Sequence, residues 1–154
     1  MDLSSLIVPE AVRVVSSVTS KKRLFQELSE IFAEVSDIAA GDACSALQER
    51  ESLGPTGVGG GIALPHARIP GVDAVQGLFV KLEKPLEFSS VDRQPVDLIF
   101  ALFAPEDSGV DHLKALALVS RTMRNSGLCA KLRANDDPSA LYAILTDKQG
   151  TRAA

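Results

Sequence analysis

Between Val96 and Phe103 the chain carries one polar side chain, Asp97, followed by Leu98, Ile99, Phe100, Ala101, Leu102 and Phe103 without interruption. A strand with one wet face alternates apolar and polar residues, and a run that does not alternate fits a strand covered on both faces. This segment is therefore predicted to be the centre of a sheet. Its surroundings alternate between helical and extended patterns, which makes the chain α/β. A length of 154 residues with 45% hydrophobic content suffices for one core, and no linker divides the sequence.

Around that strand the elements follow from spacing. Leu24, Phe25, Leu28, Ile31, Phe32 and Val35 recur at helical intervals within Ser20 to Val35. A second helix is predicted to begin near Asp42 as its N-cap and to run through Arg50 until Gly54-Pro55 stops it. Ile62 to Leu64 reads as a short strand. Val75 to Leu82 and Leu86 to Phe88 read as two strands joined by Glu83-Lys84-Pro85 in an exposed hairpin. Ser108-Gly109-Val110-Asp111 has capping-box spacing and opens a helix with His112 in its first turn, whose buried face is predicted to comprise Leu113, Leu116, Ala117, Val119, Ser120 and Met123. Asn125-Ser126-Gly127 breaks it before a shorter helix from Leu128 to Leu132. Asp137-Pro138 caps a last helix through Leu145. Residues 1–148 are expected to form the domain, and 149–154 a frayed tail.

The chemistry concentrates elsewhere. His66, one of two histidines, ends the run Thr56-Gly57-Val58-Gly59-Gly60-Gly61-Ile62-Ala63-Leu64-Pro65-His66-Ala67-Arg68. The glycines permit positive φ, and Pro65 stiffens the backbone before the imidazole. A phosphate-binding loop needs Gly-Lys-Ser/Thr opening a helix, and a dinucleotide fingerprint needs strand, glycines, then helix; here the glycines lead into a strand. Two histidines with dispersed carboxylates give no metal-ligand spacing, and no nucleophile elbow accompanies them. What remains is a histidine able to hold a phosphoryl group, with a glycine-loop carbonyl fixing its protonated nitrogen and Arg50, Arg68 and His112 available for the charge. The residues alone leave two readings of His66 open, a nucleophile and a satisfied turn residue.

Other classes are excluded by charge and pattern. The net charge is −4 and the densest basic cluster is Lys21-Lys22-Arg23, so no basic stripe exists to displace phosphate counterions from a nucleic acid. Cys44 and Cys129 lack metal or disulfide-framework spacing. No stretch approaches the roughly 20 apolar residues of a membrane span, and the start lacks a signal pattern; no membrane insertion and a cytoplasmic location are expected.

The segment from Arg50 through Arg68 resembles the active-site signature of the fructose/mannitol/nitrogen class of enzyme IIA in the bacterial phosphoenolpyruvate phosphotransferase system. The resemblance continues through Phe88, Asp92, Gln94-Pro95-Val96-Asp97-Leu98, His112-Leu113 and Leu132-Arg133, and covers nearly the whole chain. The nitrogen-related branch looks nearest, through Gln94 to Leu98 and the free-standing form. The resemblance implies a three-layer α/β/α sandwich around a mixed sheet. It implies phosphorylation of His66, at Nε2, by a phosphohistidine on HPr or NPr. Arg50 and His112 would stabilise the phosphoryl group, and Thr56, Gly57, Gly59, Gly60, Gly61, Pro65 and Arg68 would support the site. No cofactor is implied. Departures are Pro55 where Ser is common, Gly60 where Asn is frequent, Ala67 where Gly is common and Arg68 where Lys is frequent.

For function the resemblance implies a phosphocarrier acting mainly as a regulator, its phosphorylation state read by targets such as potassium transporters or sensor kinases. The alternatives are a sugar-specific relay passing phosphate to an EIIB, and a noncatalytic module of the same fold.

Overall fold

In the computed structural model, which describes residues 1–147, short 3-10 turns at Leu3–Ser5 and Pro9–Ala11 lead into β1 (Val12–Val15). There follow α1 (Lys21–Val35), α2 (Ala40–Ser52), β2 (Gly57–Gly59), β3 (Ile62–Ala63), β4 (His66–Arg68), β5 (Gln76–Leu86), β6 (Val96–Ala104), α3 (Val110–Met123), α4 (Ser126–Arg133) and α5 (Pro138–Thr146). The strands form one mixed sheet in the order β1-β5-β6-β3-β2. β6 runs antiparallel to β5 on one side; on its other side it runs parallel first to β3 and then, further along, to β4. The apolar run is thus the sheet centre, and Leu98 through Ala104 are fully buried.

Two helical layers account for that burial. On one face Phe103 stacks on Phe32 of α1, ring centroids 3.9 Å apart and planes 8° apart, and α2 packs against α1. On the other, Phe79 and Phe100 meet edge-on at 6.2 Å, beneath α3, α4 and α5 packed in succession. Lys81, two residues from Phe79 and so on the same face, is 5% exposed. Its ammonium donates to the carbonyls of Arg133 and Asn135 and to the Asp136 carboxylate in the α4–α5 connection. A charge this deep is tolerated because all its donors are used.

Local signals explain most helix ends. The Ser20 hydroxyl accepts from the Arg23 amide, Asn125 Oδ1 from Leu128, and Asp137 Oδ1 from Ser139 with Pro138 behind it. Three expectations about α2 and α3 fail. α2 begins at Ala40 with Ala39 as an N-cap lacking a side-chain bond, and Asp42 lies inside the first turn. α3 starts after Gly109 at φ +45, with no capping box; the Ser108 hydroxyl is buried without a partner among the described residues. The face of α3 is rotated too. His112, Ala115, Val119, Thr122 and Met123 are buried, while Leu113 is 64% exposed.

The expected hairpin around Glu83-Lys84-Pro85 is one strand. β5 continues through Pro85 because its ladder with β6 slips between Lys81 and Leu86, where the missing proline N–H costs no bond. Phe88 lies past the strand and packs on Phe25, centroids 6.0 Å apart. Before Ser20, where no periodicity stands out, β1 pairs parallel to β5 from Val12 opposite Phe79 to Val15 opposite Leu82. The tail expected from Gln149 lies outside the described residues.

Candidate phosphoryl-transfer site

Because β2 pairs only with β3, β4 has a free edge at the end of the sheet where β6 gives way to the α3 connection. Helices of both layers reach this edge. Arg50 arrives in the last turn of α2 and His112 in the first turn of α3. His66 and Arg68, two residues apart on β4, project to the same side, and Ala67 between them is buried in the core. The structure therefore brings together His66, Arg50, Arg68 and His112 from three elements.

The hydrogen bonds define the two rings. Nδ1 of His66 lies 2.9 Å from the carbonyl oxygen of Leu64. A carbonyl only accepts, so Nδ1 carries the proton and Nε2 presents its lone pair, which receives the Arg50 Nε–H at 3.2 Å. Arg50 is itself braced by Nη1 on the Gly54 carbonyl at 3.0 Å. His112 is arranged the other way round. Its Nδ1 accepts from Arg68 Nε at 3.3 Å, and its Nε2 is buried with no partner among the described residues. The rings stand edge to face, centroids 5.6 Å apart at 78°.

Both imidazoles are held neutral. Burial is the main cause that pushes the His66 pKa below its ordinary value; the Leu64 carbonyl opposes this, Arg50 reinforces it and Glu51 opposes it. His112 is lowered by burial first, then by His66 and Arg68. Beside them opens a cavity of about 390 Å³, lined by Ala46, Glu49, Arg50, Leu53, Arg68 and the two rings. Two guanidiniums and a lone-pair nitrogen around one small space, with the His112 ring on its wall and Glu49 the one carboxylate among the lining residues, suit a tetrahedral anion carried on Nε2.

The glycines sit elsewhere. None lines this cavity, and the carbonyl that fixes His66 belongs to Leu64 instead of a residue between Gly57 and Gly61. Gly59, Gly60 and Gly61 adopt φ of +98°, +67° and +80° and form a strap on the far side of β3. The Gly60 N–H donates to Asp92 at 2.9 Å, which together with the Gln94 amide holds that carboxyl below its usual pKa. The Gly60 carbonyl accepts from Arg133 at 2.7 Å, and the same guanidinium forks onto Asp97 with both contacts at 2.9 Å. The Gly61 carbonyl accepts from the Asp97 and Leu98 amides, and that of Pro65 from Leu102, locking the segment onto β6. Gly57 packs tightly against Phe88 and Ser90.

Sequence reasoning missed Glu51. Its carboxylate accepts from the Thr56 hydroxyl at 2.6 Å, the Thr56 amide at 3.1 Å and Lys21 at 2.9 Å. Thr56 in turn receives the Leu64 amide on its own carbonyl at 2.9 Å. A continuous chain thus runs from Glu51 through Thr56 and Leu64 to Nδ1 of His66. The only trace of it in the sequence is a carboxylate beside Arg50 at a helix end. Among the described residues no group of three or more His, Cys, Asp or Glu could hold a metal ion, and no helix is long and apolar enough to cross a membrane.

Residues 5–148 match the family described as phosphoenolpyruvate-dependent sugar phosphotransferase system, EIIA 2. The chain is 42% identical to a nitrogen regulatory protein of Bradyrhizobium diazoefficiens over 153 residues, covering 99% of this chain and 100% of that one. It is 39% identical to the nitrogen regulatory protein of Escherichia coli K12, covering 98% and 93%. The crystal structure of nitrogen regulatory protein IIA-Ntr from Neisseria meningitidis superposes with a TM-score of 0.86 at 32% identity, over 94% of this chain and 99% of that one.

Proposed function

The chain belongs to the EIIA 2 family of the phosphoenolpyruvate-dependent sugar phosphotransferase system, and from that premise we propose that it is a cytoplasmic histidine phosphocarrier of the nitrogen-related branch, accepting a phosphoryl group on Nε2 of His66 from phosphorylated HPr or NPr. The observation that carries this reading is the state of His66: neutral, its Nδ1 proton committed to Leu64, its Nε2 lone pair turned to the Arg50 guanidinium beside a cavity that Arg68 also lines.

The transfer follows from that geometry. The Nε2 lone pair attacks phosphorus as the phosphorus–nitrogen bond on the donor histidine breaks, and that bonding pair returns to the donor ring. The Nδ1–H bond to Leu64 stays in place and shares the positive charge the ring acquires. Arg50, losing the lone pair it bonded, is positioned to donate to a phosphoryl oxygen, and the unpartnered Nε2–H of His112 supplies a second donor. Neither group has to be recruited from solvent.

Regulation has a surface to act on. Leu53, on the cavity wall, is 81% exposed, and Val110 and Leu113, flanking His112 on α3, are 61% and 64% exposed. A phosphoryl group brings about −1.5 to −2 charges, which converts an apolar rim around neutral rings into an anionic site. Targets such as potassium transporters or sensor kinases would read that change. The nitrogen-branch assignment is supported by the names of the relatives, two nitrogen regulatory proteins at 42% and 39% identity.

The test is incubation with phosphorylated NPr or HPr, followed by site mapping. One acid-labile, base-stable label is expected, absent in His66→Ala. Label persisting in that variant rejects His66 as the acceptor; no label from either carrier leaves a noncatalytic module of this fold.

A further inference from the structure

We infer that Arg68 is a positioning residue whose side chain selects the tautomer of His112 and so reserves that ring's one donor for an anion on His66. The inference rests on the phosphocarrier reading of His66, and goes beyond it by giving Arg68 a task distinct from supplying charge.

A neutral imidazole has one N–H, and which nitrogen bears it is set by the partner of the other. Arg68 Nε can only donate, and it points at Nδ1 of His112 at 3.3 Å. Nδ1 must therefore be the lone-pair nitrogen, which puts the proton on Nε2. That nitrogen is buried and unpartnered in a residue only 6% exposed. An orphaned buried N–H is rare because it forfeits its hydration without a replacement bond, and here it belongs to a ring 5.6 Å from the ring of His66, on the wall of the same cavity. The cost is recovered when an anion occupies the cavity. In the opposite tautomer, Nε2 would turn a lone pair toward the phosphoryl oxygens and repel them.

Two arginine–histidine pairs thus do opposite things. Arg50 donates to the nitrogen that is to react. Arg68 donates to the nitrogen that must not carry the proton. Arg68 can do so because β4 carries it two residues beyond His66 on the same side, and its exposed side chain has no competing carboxylate partner among the described residues. A guanidinium retained only for charge has no need to place Nε on the ring.

The experiment compares wild type with Arg68→Met, which keeps the stem and removes the donor, and Arg68→Lys, which restores one. Ring ¹⁵N spectra of His112 in the unphosphorylated protein near pH 7.5 should show, in wild type, a protonated Nε2 and an unprotonated Nδ1. Arg68→Met should mix the tautomers and slow phosphotransfer from NPr by about tenfold, the scale of one charge-assisted hydrogen bond; Arg68→Lys should restore both. An Nδ1–H signal for His112 in wild type, an unchanged spectrum in Arg68→Met, or a changed spectrum with wild-type transfer each overturns the inference. Absence of any label in wild type strikes the phosphocarrier reading instead, and is told apart because the tautomer spectra are recorded without phosphate.

Discussion

Replacing Glu51 tests whether the site is held from behind. Its carboxylate is the shared acceptor for a buried amide, a buried hydroxyl and an ammonium: Thr56 N at 3.1 Å, Thr56 Oγ1 at 2.6 Å and Lys21 Nζ at 2.9 Å. Thr56 is 4% exposed, so in Glu51→Ala neither of its donors reaches water without opening the loop. Each unsatisfied buried donor costs about 1–3 kcal/mol. Lys21 keeps 26% of its side chain in solvent and still lies over the Phe88 ring at 4.4 Å, so its loss is small. The expected destabilisation is about 3–4 kcal/mol. Glu51→Gln is different. Its amide oxygen can keep the Thr56 amide and Lys21, while its NH₂ donates to a Thr56 hydroxyl that turns to accept. Only the ionic part is lost, about 1 kcal/mol.

The assay is urea unfolding followed by circular dichroism, since the chain has no tryptophan and a single tyrosine. Phosphotransfer is measured on the same samples. Because Thr56 holds the Leu64 peptide whose carbonyl fixes Nδ1 of His66, Glu51→Ala should also lose about tenfold in acceptance rate, the effect of a misplaced catalytic group, and Glu51→Gln should stay near wild type. Both variants should lower the His66 pKa further, because Glu51 raises it. Alanine and glutamine variants of equal stability, or an alanine variant as stable as wild type, would refute the shared-acceptor account.

Other predictions follow from single contacts. His66 and His112 have folded pKa values below the ordinary value of about 6.5, so as pH falls below about 6.5 the unfolded chain takes up protons that the folded chain refuses; stability should be constant above that value, fall toward the folded pKa and then level off. Denaturation at a series of pH values, with His66→Gln and His112→Gln each removing part of the slope, checks it; a stability that rises on acidification in this window contradicts the burial of neutral rings. Gly60→Asn should be nearly neutral, because φ is +67° and the nearest atom to an added Cβ is 3.9 Å away. Gly61→Ala should cost about 1–3 kcal/mol in strain alone and more by displacement, since its Cβ would lie 2.6 Å from Arg133 Nη2 and 2.9 Å from Asp97 Oδ1; thermal unfolding separates the two glycines. Phe103→Ala should cost about 3–5 kcal/mol by opening the stack on Phe32, measured by denaturation with His66 labelling retained in the folded fraction.

How much of this was legible depends on how far each property reaches from its own residue. The central strand was legible because burial on both faces writes itself into consecutive positions. The N-cap at Asp137 was legible because the cap and the amide it serves lie two residues apart. The supposed hairpin was not: Glu83-Lys84-Pro85 has the composition of a turn, and what keeps it extended is a ladder slip against β6 together with Ser16, just past the end of β1, whose carbonyl accepts the Lys84 amide. The face of α3 escaped for a similar reason. Leu113 and His112 compete for the core by adjacent positions, and hydrophobicity favours the leucine; the fold buries the histidine because β4 presents Arg68 and His66 there.

The same distance separates identifying the histidines from knowing their protonation. Sequence placed His66 and His112 among the candidates through motif and helix position, yet both are imidazoles with the same intrinsic chemistry. What makes one an acceptor at Nε2 and the other a donor at Nε2 is that the first has a carbonyl at Nδ1, from a residue two positions back whose peptide is held by Thr56, and the second has a guanidinium there, from a strand 44 residues upstream. Exchanging those partners would reverse both rings with no change in either histidine. It follows that a variant retaining both histidines can still be slowed in phosphotransfer, and that the residues to examine first in such a variant are Thr56, Glu51 and Arg68.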